Sequence, residues 1–363
     1  MRPVRLVRWS PMVDRRNPSW LRALAMAICL LLVACAMSPG AHAANNKYAA
    51  MVVEASTGQV LFARHATKAR YPASMTKMMT AYMVFEALDD GRLDWNGRVK
   101  VSRQAANMPP TKLGLRAGSR VKVGDLVGAM VTKSSNDAAV VLAEALGGTE
   151  ENFARMMTAR ARSLGMVSTT FKNASGLPDP MQVSTARDMV TLSRALIYDF
   201  PDYYTLFSAR HFAYGNRVLR NTNRLMTQYD GMDGIKTGYI RASGFNLAAS
   251  AERDGVRLIA IVFGGRTTHT RDAHIAELLD EGFARVRQLD VPRDVTAKLV
   301  QTPVGGVETV TSYGRAAAAP VLPSPRKPRP VALAIAGDLP MPVLKPAEIR
   351  AAQAQGDDVT SVQ

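Results

Sequence analysis

Cysteine is almost missing from this sequence. Both copies, Cys29 and Cys35, fall in the first 43 residues, so a chain cut after Ala43 has no disulfide, no thiol nucleophile and no thiolate metal site. Histidine is nearly as scarce. His65, His211, His269 and His274 show no His-x-x-x-His or similar ligand spacing, which points to surface roles rather than a metal. No apolar run reaches the ~20 residues that a spanning helix needs. Acidic residues are also in deficit, with 30 Asp and Glu against 46 Lys and Arg and a net charge of +16. A basic balance suits nucleic acid, an anionic cell wall or anionic lipid. No helix-turn-helix, zinc-finger or aromatic RNA-binding signature accompanies it, so nucleic acid is not an expected partner.

What is present divides into three stretches. Residues 1–43 hold six arginines against Asp14, a net +5 that leaves +11 for the remainder. The basic region precedes the apolar Ala23–Ala34, and Ala41-His42-Ala43 fits a signal-peptidase site, with Ala44 as the first mature residue. Export to the periplasm or cell envelope is the reading. An uncleaved anchor stays open, as does lipidation at Cys35, because Leu32-Val33-Ala34-Cys35 resembles a lipoprotein processing site. Residues 44–290 are expected to form a single domain, whose 47% chain-wide hydrophobic content supplies a core without disulfides. Residues 291–363 are Pro- and Ala-rich and basic, as in Pro320–Pro330, and read as an extended, poorly ordered tail.

Strand patterns stand at both ends of the central stretch. Tyr48–Glu54 and Gln59–Phe62 flank the turn Ala55-Ser56-Thr57-Gly58 as a hairpin. Phe245–Ala251 and Val256–Phe263 flank Asp254-Gly255 in the same way, and Gly234–Tyr239 is a further short strand. Helices are expected over Ser74–Leu88, Asp137–Leu146, Glu150–Leu164, Thr185–Tyr198 and His274–Val286. Strands at the termini with helices between them predict an α+β domain, an antiparallel sheet flanked by helices with a helical region inserted.

The chemistry concentrates at Tyr71–Tyr82. Ser74 and Lys77 are three residues apart at a helix start, so both side chains share a face, where unpaired backbone N–H groups favour developing negative charge. A serine hydroxyl needs a base to become a nucleophile. A lysine held neutral by burial and nearby positive charge can be that base. Ser134-Ser135-Asn136 and Lys236-Thr237-Gly238 follow in order. A Ser-His-Asp triad is not suggested by spacing. Taken alone, Ser134 and Ser135 also fit a helix cap, and Lys236-Thr237-Gly238 an ordinary strand end.

Together the three motifs resemble the penicillin-binding, serine-active-site enzymes. The flanks Val52–Gly58, Ala73–Thr80, Asn173–Leu177 and Gly234–Gly238 are similar to those of the low-molecular-mass D-alanyl-D-alanine carboxypeptidases, over roughly Lys47 to Phe283. The resemblance implies a β-lactamase/transpeptidase-like fold and no cofactor or metal. It implies peptidoglycan stem peptides ending in D-Ala-D-Ala as substrate and β-lactams as covalent inhibitors. Ser74 would attack, Lys77 would take its proton, and Ser134 would relay a proton to the leaving amine. Asn136 would hold the substrate amide. Lys236, Thr237 and, further along, Arg271 would bind the terminal carboxylate, with Gly238 leaving room for the substrate backbone. The backbone N–H groups of Ser74 and Tyr239 would form the oxyanion hole.

Two departures matter. The glutamate-bearing loop of a class A β-lactamase is replaced by Asn173–Leu177, so slow β-lactam turnover is expected. The tail is short and proline-rich where membrane-associated carboxypeptidases add a β-rich domain and an anchor helix, which leaves peripheral membrane or cell-wall association open. A DD-endopeptidase cleaving cross-links uses the same residues. An inactive peptidoglycan-binding or scaffolding protein is the non-enzyme alternative.

Overall fold

The structure, a computed structural model, describes residues 47–288 and, before them, Met26 alone. Met26, helical and exposed, belongs to a first unit, Met1–Asn45; the second unit begins at Asn46. Apart from Met26, the expected export segment, with both cysteines, lies outside the described residues, as does the stretch 291–363.

The framework is a five-stranded antiparallel sheet. Its strands are β1 (Ala49–Glu54), β2 (Val60–Arg64), β7 (Met232–Ile240), β8 (Gly244–Arg253) and β9 (Val256–Gly265), in the order β2-β1-β9-β8-β7. The first and last strands of the domain thus meet in the middle, with Val52 opposite Ala260. Between β2 and β7 run α1 (Lys77–Asp89), β3 (Arg98–Lys100), β4 (Arg120–Lys122), α2 (Val123–Thr132), α3 (Asn136–Gly147), α4 (Glu150–Ser163), α5 (Ala186–Asp199), β5 (His211–Tyr214) and β6 (Arg217–Arg220). The last helix, α6 (Thr268–Gln288), follows β9.

Strand alternation explains how the sheet is covered. Side chains of period two point to opposite faces, and here both faces are apolar. Ala49, Met51, Val53, Ile259, Ile261 and Phe263 join the core built around α1. Ala50, Val52, Leu258, Ala260 and Val262 face Ile275, Leu278, Leu279 and Phe283 of α6. A sheet packed on both faces reads as continuous apolar runs rather than alternation, as β8 and β9 do.

α1 is the interior helix. Met78, Met79, Ala81, Tyr82, Val84 and Phe85 are buried on several sides, as its apolar residues all round the helix predicted. Tyr82 ends its burial in a 2.7 Å hydrogen bond to Asp199. The reactive stretch differs from expectation in one respect. Ser74 sits in a separate 3₁₀ turn, Ala73–Thr76, and α1 starts at Lys77. Ala73 has φ 49°, a left-handed conformation that costs a residue with a side chain about 1–3 kcal/mol, so the chain cannot enter a regular helix until after it.

Candidate active site

Ser74 and Lys77 meet as the three-residue spacing predicted. The Lys77 Nζ donates to Ser74 Oγ at 3.2 Å and to Asn136 Oδ1 at 2.7 Å, and also to the Ser175 carbonyl. Three acceptors surround an amine that is 1% exposed. Burial pushes its pKa well below the ordinary lysine value, and the nearby Lys236 charge pushes it further, against a weaker upward pull from Asp137 and Glu150. Both dominant causes favour the neutral amine.

The second motif stands at the start of α3. Ser134 has φ 66°, and its buried Oγ has no hydrogen-bond partner, nor has that of Ser135. Ser135 occupies the N-cap without a side-chain capping bond, so capping does not account for these hydroxyls. Asn136 splits its amide, receiving from Lys77 and donating 2.9 Å to the Pro109 carbonyl.

The third motif lies on β7, an edge strand of the sheet. Lys236 is buried, and burial with the neighbouring Arg271 charge lowers its pKa to about 7. The Thr237 hydroxyl donates 2.8 Å to Thr222 Oγ1. A Cβ on Gly238 would stand 2.7 Å from the Pro72 carbonyl and 3.2 Å from the Ser74 nitrogen, so only glycine lets the strand pass this close to the nucleophile turn. Arg271 is 3% exposed; its guanidinium grips Asp272 through two N–H groups and donates 3.1 Å to the Asn246 carbonyl.

These residues surround one cleft of about 350 Å³. Ser74, Ser134, Asn136, Thr237, Gly238, Tyr239 and Arg271 line it, with Thr111, Gly176, Leu177 and Thr222. Lys77 and Lys236 lie buried beneath. The arrangement pairs a hydroxyl with a neutral-leaning amine, sets a second unpartnered hydroxyl opposite, and closes one end with cationic groups. That end suits a carboxylate, and the hydroxyl suits attack on an acyl carbon.

A family model described as D-alanyl-D-alanine carboxypeptidase matches residues 35–267. The chain belongs to the D-alanyl-D-alanine carboxypeptidase family. Among its relatives, DacF of Bacillus subtilis (strain 168) is 35% identical over 251 residues, covering 67% of this chain and 63% of that protein. DacC of Escherichia coli (strain K12) is 36% identical over 280 residues, covering 73% and 69%. The chain thus spans a little under two thirds of the Bacillus relative. Penicillin binding protein 5 of Haemophilus influenzae superposes with a TM-score of 0.63 at 35% identity, over 65% of this chain and 70% of that one. Penicillin-Binding Protein D2 of Listeria monocytogenes, solved with ampicillin bound, gives 0.60 at 34% identity, over 65% and 96%. The fold is therefore that of the penicillin-binding proteins, as the α+β, transpeptidase-like expectation had it.

In this carboxypeptidase-family site, several supporting residues escape the motif reading. Asn246 on β8 is fully buried and donates to the carbonyls of Tyr71, at 3.0 Å, and Pro72, at 3.4 Å, while its Oδ1 accepts from the Gly264 N–H at 3.1 Å. It fixes the nucleophile turn to β8 and β9. Asp137, also buried, accepts from the backbone N–H groups of Leu113, Gly114 and Leu115 and so holds the 109–115 segment over Asn136. Glu150 accepts from Ala174 N–H at 3.0 Å, next to the Ser175 carbonyl that receives Lys77. Gly176 completes this loop. Its φ is +87°, and a Cβ there would stand 1.9 Å from the Ala73 carbonyl oxygen. Partners this far along the chain leave no spacing signal. Only the buried polar residue types themselves give a hint.

Proposed function

We propose that the protein is an exported serine-type D-Ala-D-Ala carboxypeptidase, whose catalytic unit is residues 44–290. It removes the terminal D-alanine from peptidoglycan stem pentapeptides. The observation that carries this reading is the buried Lys77 amine, 3.2 Å from Ser74 Oγ, at the floor of a cleft with cationic groups at one end.

In the proposed reaction, neutral Lys77 takes the Ser74 proton as Ser74 Oγ attacks the carbonyl of the penultimate D-alanine. The N–H groups of Ser74 and Tyr239 receive the developing oxyanion, a contribution typically of about 3 kcal/mol per donor. Ser134, whose hydroxyl is otherwise without a partner, passes a proton to the leaving amine. Asn136 holds the substrate amide and orients Lys77. The substrate lies along β7 beside Gly238, its carboxylate on Lys236 and Thr237. Arg271 keeps an N–H on each terminal nitrogen for the same carboxylate, in addition to its charge. Water then hydrolyses the Ser74 ester and frees the enzyme.

A β-lactam presents a strained amide to the same Ser74 and is expected to acylate it, with slow release because no glutamate-bearing loop activates the deacylating water. Incubation with a D-Ala-D-Ala-ended pentapeptide should release free D-alanine, and fluorescent penicillin should label the wild type but not Ser74→Ala. A penicillin adduct mapped to another residue would overturn the assignment.

A further inference from the structure

A stretch that the three motifs leave out runs between the second and the third of them. Asn221-Thr222-Asn223 follows β6 and is tied down at each of its three positions. The Asn221 N–H donates 2.8 Å to the Arg210 carbonyl, and its side-chain amide donates 2.9 Å to the Ala209 carbonyl. The Thr222 N–H donates 3.1 Å to the carbonyl of Thr132, two residues before Ser134. The Asn223 N–H donates 2.8 Å to Asn221 Oδ1, and its buried side chain donates 2.9 Å to the carbonyl of Gly234, two residues before Lys236. The tripeptide thus bridges the two motifs, and Thr222, at its middle, lines the cleft with Ser74, Thr237 and Arg271. A side chain whose backbone is held on both sides keeps its direction, which a binding group needs.

The hydroxyl of Thr222 is half used. Its Oγ1 accepts the Thr237 hydroxyl hydrogen at 2.8 Å, and among the described residues it makes no other hydrogen bond. A threonine hydroxyl carries one hydrogen and two lone pairs. The Thr237 hydrogen is therefore committed to Thr222, and the Thr222 hydrogen is left for whatever the cleft holds. Lys236 is similarly open, since among the described residues its Nζ has one acceptor, the Thr237 carbonyl at 3.4 Å. A hydroxyl hydrogen beside an ammonium and a guanidinium suits a carboxylate. The two cations bring charge, and the hydroxyl fixes the place of one oxygen.

We propose that Thr222 is a further substrate-binding residue, whose hydroxyl donates to the terminal carboxylate of the substrate, and that Thr237 holds it in place for that donation. This rests on the carboxypeptidase reading of the same cleft. Thr237 donates to Thr222 and Thr222 to the carboxylate, so the contribution of the Thr237 hydroxyl passes through its neighbour, and no proton changes hands. A hydrogen bond to an ionised acceptor is the stronger kind, so this donor favours a free carboxylate over an amide at the end of the peptide. The same bond is present in the bound substrate and throughout the attack, so its loss falls on KM rather than on kcat.

The test pairs two pentapeptides ending in D-Ala-D-Ala, one a free acid and one a C-terminal amide, with the product released from each resolved by mass. Wild type should favour the acid. Thr222→Val keeps the shape without the hydroxyl. It should lose about tenfold or more in kcat/KM on the acid, mostly through KM, and about threefold or less on the amide. Thr222→Ser should recover most of the acid rate. Thr237→Val removes the holding bond but not the Thr222 hydrogen, so it should lose less than Thr222→Val. Thermal unfolding and fluorescent penicillin labelled to completion confirm that each variant is folded. Equal losses on both peptides would mark Thr222 as structural and overturn the proposal, as would a valine variant with the wild-type KM on the acid. A larger loss in Thr237→Val than in Thr222→Val would overturn it too. A wild type that treats acid and amide alike would do so without any variant. A wild type that neither releases D-alanine nor takes the penicillin label would bring down the carboxypeptidase reading, and this one with it.

Discussion

Two buried lysines lie beneath the cleft, and the proposed reaction needs them in opposite charge states. In that reaction Lys77 works as a base only when neutral, so the rate should rise with pH as its lowered pKa is passed. Lys236 would bind the carboxylate only when charged, so binding should weaken as pH climbs through a pKa of about 7. The kcat/KM profile, which reports the free enzyme, should therefore be a bell whose alkaline limb belongs mainly to Lys236. The two amines interact, so each limb reports the pair, but the guanidinium of a Lys236→Arg variant stays charged at any accessible pH. That variant should keep the acid limb and lose the alkaline limb up to about pH 9.5, even if its overall rate is lower. A pH–rate series with a pentapeptide checks this; an unchanged alkaline limb would show that another group titrates there. Lys77 and Lys236 were legible from motif spacing. A neutral Lys77 entered the sequence reading only as a condition and the Lys236 shift not at all, because burial and the neighbouring charge need the fold.

At the scale of elements, the nucleophile turn is held by strands that follow it by about 170 residues of chain. Asn246 on β8 donates to two carbonyls of the turn and accepts from Gly264 on β9. Asn246→Ala should cost about 1–3 kcal/mol through buried groups left unpaired and slow acylation by loosening Ser74. Asn246→Asp should be worse, since a carboxylate cannot donate and would face the Tyr71 and Pro72 carbonyls. Thermal unfolding and the rate of penicillin labelling measure both; an aspartate variant as stable and as fast as the alanine one would refute the clamp. The same scale shows where sequence reading stops. The β1–β2 and β8–β9 hairpins were legible, because apolar runs flank short turns at Ala55–Gly58 and Asp254-Gly255. β3–β4 and β5–β6 were not, because strands such as Arg98–Lys100 and Arg217–Arg220 are too short and too charged to carry a period. The 3₁₀ turn at Ala73–Thr76 was folded into α1, since a left-handed alanine leaves no mark in composition.

For the whole molecule, the meeting of β1 with β9 sets the limits of the folding unit. The first strand pairs with the last over Ala49–Glu54, so neither end of the domain can be removed without opening the middle of the sheet. The two cores share that sheet, one under α1 and one under α6, and their members run from Ala49 to Val286. α6 covers β1 and β9 together, so the second core needs residues from both ends of the domain. Among the described residues, nothing in either core lies outside 49–286. A chain of residues 44–290 should therefore fold cooperatively and take the penicillin label at the rate of the longer chain. Its Tm should fall within about 4 °C of that chain's, a shift worth roughly 1–2 kcal/mol for a domain of this size. Shortening further, to end at residue 274, removes Ile275, Leu278, Leu279, Phe283 and Val286. Large apolar side chains lost from a core cost about 2–5 kcal/mol each, and a total typical of a domain is 5–15 kcal/mol. The shorter chain should therefore fail to unfold cooperatively and should not be labelled. Side-by-side thermal scans of the two fragments decide the point, and a folded, labelled chain ending at 274 would place the boundary of the unit within the first turns of α6.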